Sequence, residues 1–518
     1  MKQRPLILTA AASLLALLPA ARCAAPEKPR LIVLTDIGGD PDDQQSMIRL
    51  MTFSNEFEIE GLIASASGTP GELKRAAVRP DLIREIVSAY GRVRANLAVH
   101  AAGYPAAEQL LAVIKSGDPD RRLANVGEGC DTEGSNWIIA AAERPDPRPL
   151  NIAIWGGAHD LAQALWRVRK QRPPDQLELL LSKLRVHSIE HQDETGPWIV
   201  RSFPTLFFIL SSSNAGVSLE NPLPRDKRLS VYRGMYLGGD ESLTSREWVD
   251  ANVRTGHGPL GALYPVKTWT APNPHGVLKE GDTPSWFYFL PNGLGDPARP
   301  DWGGWGGRFR RVRDHYYTDA EDQAGAERGA RATVWRWREA YQNAFAARMD
   351  WCVTPDRAKA NHEPVAVLNG DATRRVVYLQ AKAGERVLLS ARGSSDPDGN
   401  PLRYRWFHYP EPGGQEEAIP IAGGHETSFV LNDLNGEVHV ILEVWDAGNP
   451  PLASYRRAVV SAAPRASRWR HREGRSTGPA SRNSGFVSHR LGQVTEYGRV
   501  MHTMPATPAC MAATGALW

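Results

Sequence analysis

From residue 31 to about residue 210, short apolar runs alternate with longer amphipathic stretches. Leu31-Ile-Val-Leu34 carries no polar residue and predicts a buried strand. Met47, Leu50 and Met51 follow at helical spacing, and residues 59–64 predict a second strand. A helix is expected over 81–95, starting after Pro80, and another over 137–142. Residues 151–155 read as a strand, 159–170 as a helix and 184–189 as a further strand. Strands separated by helices of this length imply right-handed βαβ units. The expected fold is therefore α/β, a mostly parallel sheet flanked by helices, over residues 27–360.

The pattern changes near residue 360. Residues 366–390 offer strand-like alternation, and Ser394-Ser-Asp-Pro-Asp-Gly-Asn-Pro401 is dense in turn-forming residues. Val438, Val440, Leu442 and Val444 alternate strictly with more polar neighbours, as in a half-buried antiparallel strand. Residues 361–464 thus predict a small all-β, immunoglobulin-like sandwich. Residues 465–518 are Arg-, Ser- and Gly-rich without periodicity and read as a disordered tail.

Length and charge refine this division. A chain of 518 residues exceeds what one core supports, so at least two domains are expected. At the N-terminus, Lys2 and Arg4 precede an apolar run from Leu6 to Leu18, with small residues around Ala20 to Ala25. That is the layout of a secretory signal cleaved near residues 20–25, and the run falls short of the roughly 20 residues a membrane span needs. Export to the periplasm or the exterior is the expectation, without a stable membrane span.

The formal net charge of +3 is unevenly spread. The leader contributes +3 and the tail +6, which leaves −6 for residues 26–464. No basic footprint argues for nucleic acid. Sixteen Trp and 47 Gly lean toward carbohydrate-facing surfaces. Cys23 leaves with the leader, and Cys130, Cys352 and Cys510 show no metal-ligand spacing. A Cys130–Cys352 disulfide is permitted by the compartment and required by nothing.

The strongest chemical signal is Thr35-Asp-Ile-Gly-Gly-Asp-Pro-Asp-Asp-Gln44, directly after the first strand. In a parallel α/β sheet the carboxyl end of a strand is where ligands bind. Asp36, Asp40, Asp42 and Asp43 would repel one another there unless a hard divalent cation offset them. The bland alternative is a turn in which Asp42 or Asp43 caps the next helix.

This segment resembles the Asp-rich fingerprint of nucleoside hydrolases, in which the first strand ends in Asp-Pro-Gly-x-Asp-Asp; here the loop is two residues longer. Ile152-Ala-Ile-Trp-Gly-Gly-Ala158 is similar to the family's strand ending in Gly-Gly, and Gly281-Asp-Thr-Pro-Ser285 to the segment bearing its last metal aspartate. A divergent branch matches more closely: secreted cellulose-binding proteins with a nucleoside hydrolase-like domain and a C-terminal β domain. The stretches shared with it are Gln192-Asp-Glu-Thr-Gly-Pro-Trp198, Gly256-His-Gly-Pro-Leu-Gly-Ala-Leu-Tyr264, Pro291-Asn-Gly-Leu294 and Asp301-Trp-Gly-Gly-Trp-Gly-Gly307.

The resemblance implies a Ca²⁺ ion held by Asp36, Asp43, Asp282 and the Trp155 carbonyl. Asp36 would be the general base toward water, and Asp42 would bind a sugar hydroxyl. The expected activity is hydrolysis of an N-glycosyl or related glycosyl bond in a sugar-containing small molecule or polysaccharide. The alternative is a non-catalytic cellulose- or carbohydrate-binding protein. Gly281 stands where the family often has a leaving-group histidine, and His191-Gln-Asp193 is the nearest counterpart of its Glu-Phe-Asn sugar-contacting stretch. A nucleoside substrate is thereby put in question, and a homo-oligomer is the family habit.

Other residues have two readings each. His257 could replace the missing acid or sit satisfied in a turn. Gln192 and Asp193 could meet sugar hydroxyls or anchor a loop. Trp302 and Trp305 could stack on a sugar ring or pack over a tight turn, with packing preferred. Asp396 and Asp398 could bind Ca²⁺, but a plain turn suits them better.

Overall fold

The computed structural model describes residues 27–65, 77–120, 122–212, 229–267, 277–431 and 436–462; the expected leader and tail lie outside them. Eight strands form the first sheet: β1 (Arg30–Thr35), β2 (Glu58–Ala64), β3 (Ile114–Ser116), β4 (Leu150–Ile154), β5 (Leu184–Ile189), β6 (Phe207–Ser211), β7 (Phe309–Arg313) and β8 (Tyr316–Asp319). Their order is β3-β2-β1-β4-β5-β6-β8-β7. Every neighbouring pair is parallel except β7–β8, which adds an antiparallel edge.

The unbroken apolar run in β1 has a plain cause. Leu31 and Val33 point into one core, while Ile32 and Leu34 point into the other. Helices Asp42–Thr52, Pro80–His100 and Arg338–Val353 cover the first face. Helices Glu133–Ala142, His159–Gln171 and Thr195–Ser202 cover the second. From β1 the chain runs outward to β2 and β3, then returns to β4 on the other side of β1. The crevice between β1 and β4 is thus the topological switch point, where open α/β sheets bind ligands.

After a small hairpin, β9 (Asp322–Ala324) with β10 (Glu327–Gly329), the chain builds β11 (Val377–Ala381), β12 (Arg386–Ser390), β13 (Arg403–Tyr409), β14 (Glu426–Val430), β15 (Glu437–Trp445) and β16 (Ala453–Ala462). One sheet has the order β11-β16-β15-β13, and β12 pairs with β14 in another. Their facing side chains, among them Val387, Phe429, Val440 and Leu442, make a separate core.

The expectation of a half-buried strand at 438–444 is corrected. β15 is buried on both faces from Val438 onward, because Ile441 and Trp445 join the core of the α/β domain. Trp302 and Trp305 lie in the same seam. Trp302 is fully buried against His439 and Arg457, and Trp305 donates from Nε1 to Tyr455 Oη at 3.3 Å. Both rings pack between the domains, so neither forms an exposed stacking platform.

Asp396 accepts from the backbone N–H groups of Asp398 and Asn400 at 3.0 and 2.8 Å, a turn as preferred above. Asp398 receives His362 Nδ1 at 2.9 Å, and His362 Nε2 lies 3.0 Å from His100 Nδ1, which ties the linker to the α/β domain. Cys130 and Cys352 are buried and unlinked.

Candidate functional site at the strand ends

The loop leaving β1 folds tightly enough to gather its acids. Gly39 N–H donates to Asp36 O at 3.2 Å, and Gly38 has φ +102°, a conformation glycine adopts without a Cβ clash. Helix Asp42–Thr52 then begins with Pro41 as its N-cap and no side-chain capping bond. Neither Asp42 nor Asp43 is a cap, so the plain capped-turn reading fails. Both sit in the first helical turn, where the backbone dipole favours negative charge. Thr35 Oγ1 accepts from Ile37 N–H at 3.1 Å and donates to Asp43 Oδ1, which fixes that carboxylate against the strand.

The other half of the site comes from residues 277–283. Gln45 staples this segment to the helix: its Nε2 donates to Val277 O at 2.5 Å, and its Oε1 accepts from Lys279 N–H at 2.9 Å and Glu280 N–H at 3.2 Å. Glu280 takes φ +43°, uncommon for a side-chain-bearing residue. Its buried carboxylate is gripped by Arg49 at 2.5 and 3.1 Å and by Tyr264 Oη at 2.6 Å. That grip holds the turn carrying Lys279 on one side and Asp282 on the other.

Carboxylate oxygens of Asp42, Asp43 and Asp282 lie within 4.8 Å of one another. Ca²⁺ takes oxygens at roughly 2.3–2.6 Å, so two oxygens on one ion stand at most about 5 Å apart. The donors are hard and the spacing fits such an ion. Burial raises the Asp43 pKa well above the usual carboxylate range, and the Asp282 and Asp42 charges push it further the same way. The Asp42 carboxyl is raised too, chiefly by burial, although Lys279 opposes the shift. A divalent cation would reverse this logic.

Lys279 is the main residue missed by sequence reasoning. Its Nζ contacts Asp40 Oδ2 and lies 3.2 Å from Asp42 Oδ2, with the side chain 7% exposed. Burial works against its charge, but Asp42 and Asp40 together overcome that and raise its pKa. In the sequence it looks like any surface lysine beside a glutamate.

The expected ligands fall differently around this centre. Asp36 adjoins Asp43 through a side-chain hydrogen bond and faces Gly156, where an added Cβ would come within 2.6 Å of it. The triad is completed by Asp42, the residue expected to bind sugar. The Trp155 carbonyl accepts from Gln192 Nε2, and the Trp155 indole donates to Ser285 Oγ at 2.9 Å. Asp193 Oδ1 accepts from Thr195 N–H, Thr195 Oγ1 and Gly196 N–H at 2.9, 2.6 and 3.2 Å. Gln192 and Asp193 therefore act as loop anchors in this structure. His257 pairs with Asp350 at 3.1 Å, and among the described residues no hydrogen bond or ion pair joins it to the aspartates.

A family model described as the cellulose-binding Sde182 nucleoside hydrolase-like domain matches residues 30–309, more than half of the chain. The chain belongs to the Sde182 family. The matched span begins in β1 and takes in both halves of the aspartate site. The model for the Sde0182 cellulose-binding protein's C-terminal domain matches residues 386–462. A solved structure described as a nucleoside hydrolase-related hypothetical protein from Saccharophagus degradans, associated with carbohydrate metabolism, shares 34% identity at a TM-score of 0.70. That alignment covers 84% of this chain and all of the other. The effector protein XOO4466 aligns at 11% identity and a TM-score of 0.34 over 64% of this chain and 95% of its own, too weak to carry an argument. No curated protein matches. The α/β fold and the resemblance to cellulose-binding proteins with a nucleoside hydrolase-like domain, both read from the sequence, are thus shown.

Proposed function

We propose that this Sde182-family protein is an exported, calcium-dependent hydrolase of glycosyl bonds. The observation that carries the proposal is the buried carboxylate triad at the switch point. Carboxylate oxygens of Asp42, Asp43 and Asp282 lie within 4.8 Å of one another, and Lys279 bonds Asp40 and Asp42 at their side. Three buried carboxylates at this spacing repel one another, and a hard divalent cation bound among them would offset that cost.

Asp42, Asp43 and Asp282 would hold the ion, with Asp36 adjoining. When bound, such an ion supplies Lewis acidity toward water and sugar hydroxyls. Asp36 takes the proton of the attacking water as general base. Lys279 fixes Asp40 and Asp42 so that a sugar hydroxyl meets an oriented carboxylate edge. The water oxygen bonds to the anomeric carbon as the glycosyl bond breaks, the leaving group takes up a proton from solvent, and Asp36 returns its proton to solvent. His257 takes no part in this chemistry: its Nε2 pairs with Asp350 at 3.1 Å, and among the described residues no hydrogen bond or ion pair joins it to the aspartates.

A second reading, a non-catalytic binder of carbohydrate on the same scaffold, is favoured by Gly281 standing where a leaving-group acid would be. For both readings the partner is a sugar-containing small molecule or polysaccharide. Among the described residues no helix is long and apolar enough to cross a membrane. A screen of nitrophenyl glycosides and nucleosides with and without calcium tests the hydrolase. Turnover that needs calcium and disappears in Asp36→Asn supports it, and turnover surviving Asp36→Asn removes the assigned base.

A further inference from the structure

The seam between the domains contains a cavity of about 300 Å³ that is separate in its lining from the aspartate site. Its walls come from both domains. Phe53, Leu290, Trp305 and Tyr455 give it an apolar, largely aromatic side. Glu56, Arg348, Glu363, Arg374 and Arg456 give it a polar side. Two sequence stretches that the aspartate chemistry leaves unused, Pro291-Asn-Gly-Leu294 and Asp301-Trp-Gly-Gly-Trp-Gly-Gly307, supply Asn292 and Trp305.

The polar side is charge-compensated. Arg348 reaches Glu56 and Glu363 at 3.3 and 3.2 Å, Arg374 reaches Glu56 at 2.9 Å, and Arg456 lies 3.5 Å from Asp371. A wall of this kind has little net attraction for an ion. It presents guanidinium donors beside carboxylate acceptors, with aromatic rings next to them: the Arg348 guanidinium lies 4.2 Å from the centroid of the Phe53 ring. Sugar rings have the complementary chemistry: hydroxyls that donate and accept around the rim, and C–H groups on the faces. The volume stands at the lower end of ligand pockets, roughly 300–1,000 Å³. Arg374, with its side chain half exposed, bonds across the seam to Glu56 and to Pro291 O at 3.3 Å. Among the described residues Asn292 Nδ2 has no hydrogen-bond partner.

We propose that this interdomain cavity binds a neutral sugar, the end of a short β-glucan chain, with Asn292 and Arg374 meeting its hydroxyls and the apolar lining its C–H groups. The proposal rests on the carbohydrate-binding reading above and is independent of catalysis.

The test is titration of the full chain with cellobiose and cellotetraose, followed by calorimetry and by tryptophan emission. Wild type should bind, Asn292→Ala with Arg374→Ala should weaken binding by about 10-fold or more, and Ala372→Trp, a plug at an exposed lining position, should abolish it. Unaltered melting temperatures would show that the variants fold. Binding by wild type that all the variants retain overturns the cavity assignment and leaves the carbohydrate reading standing. Loss of binding in Asp43→Ala, with the cavity variants intact, moves the sugar to the aspartate site and equally overturns it. No binding of either oligosaccharide by wild type overturns the assignment, while the hydrolase reading is judged separately by calcium.

Discussion

Replacing Lys279 with Met tests whether the protein's own ammonium is part of the site's charge balance. The lysine side chain is 7% exposed and its partners Asp40 and Asp42 are 3% and 12% exposed. Met keeps the length and most of the volume, so a packing cavity adds little. The cost is that of leaving buried carboxylates without their partner, about 3–5 kcal/mol. Protonation offers a way out: the carboxylates can take a proton in place of the ammonium, so the cost should shrink in mild acid.

Urea unfolding in chelator, at neutral pH and near pH 5, measures this. Lys279→Met should lose about 3–5 kcal/mol at neutral pH and clearly less in acid. Adding Asp40→Asn should restore much of the loss, since the double variant removes both charges of the closest pair. Calcium should stabilise Lys279→Met more than wild type, by the usual ligand linkage. A loss under about 1 kcal/mol at both pH values would refute the reasoning, because it is what an exposed, screened pair gives.

Three further outcomes follow from the geometry. Gly156→Ala places a Cβ within 2.6 Å of Asp36, so calcium affinity and any turnover should fall by about 10-fold or more with the fold retained, as calorimetry and circular dichroism would show. Burial raises the Asp319 pKa to about 7 from an ordinary 3.8. A raised folded-state pKa contributes stability below the ordinary value, and that stability is lost as pH rises through about 7. Asp319→Asn should therefore flatten the pH–stability profile between those limits, and an unchanged profile would exclude this group as its source. In the hydrolysis screen, Asp36→Asn should abolish turnover while leaving the melting temperature close to wild type.

Most of the α/β framework was legible because a parallel sheet buries both faces of its strands, which leaves runs such as Leu31–Leu34 without polar interruption. Helix Arg338–Val353 was not legible. Its Arg338, Gln342 and Arg348 are buried and bonded to other segments, so no polar face remains to give the pattern a helical period. β15 shows the converse failure: a correct alternation was read as one wet face, when that face meets the other domain. At the site, the aspartates announced themselves through density in the sequence. Lys279 and the Arg49–Glu280 grip did not, since each is made by contacts more than 200 residues apart along the chain. For Gln192 and Asp193 the sequence left sugar contact and loop anchoring open, and in the structure Gln192 Nε2 donates to Trp155 O and Ile189 O while Asp193 Oδ1 accepts from Thr195 and Gly196.

The central claim is that the strand-end carboxylates form a cation site, and calorimetric titration of calcium into wild type and Asp43→Ala tests it most directly. The account predicts stoichiometric binding to wild type that is lost in the variant. Equal, weak binding to both proteins would contradict it.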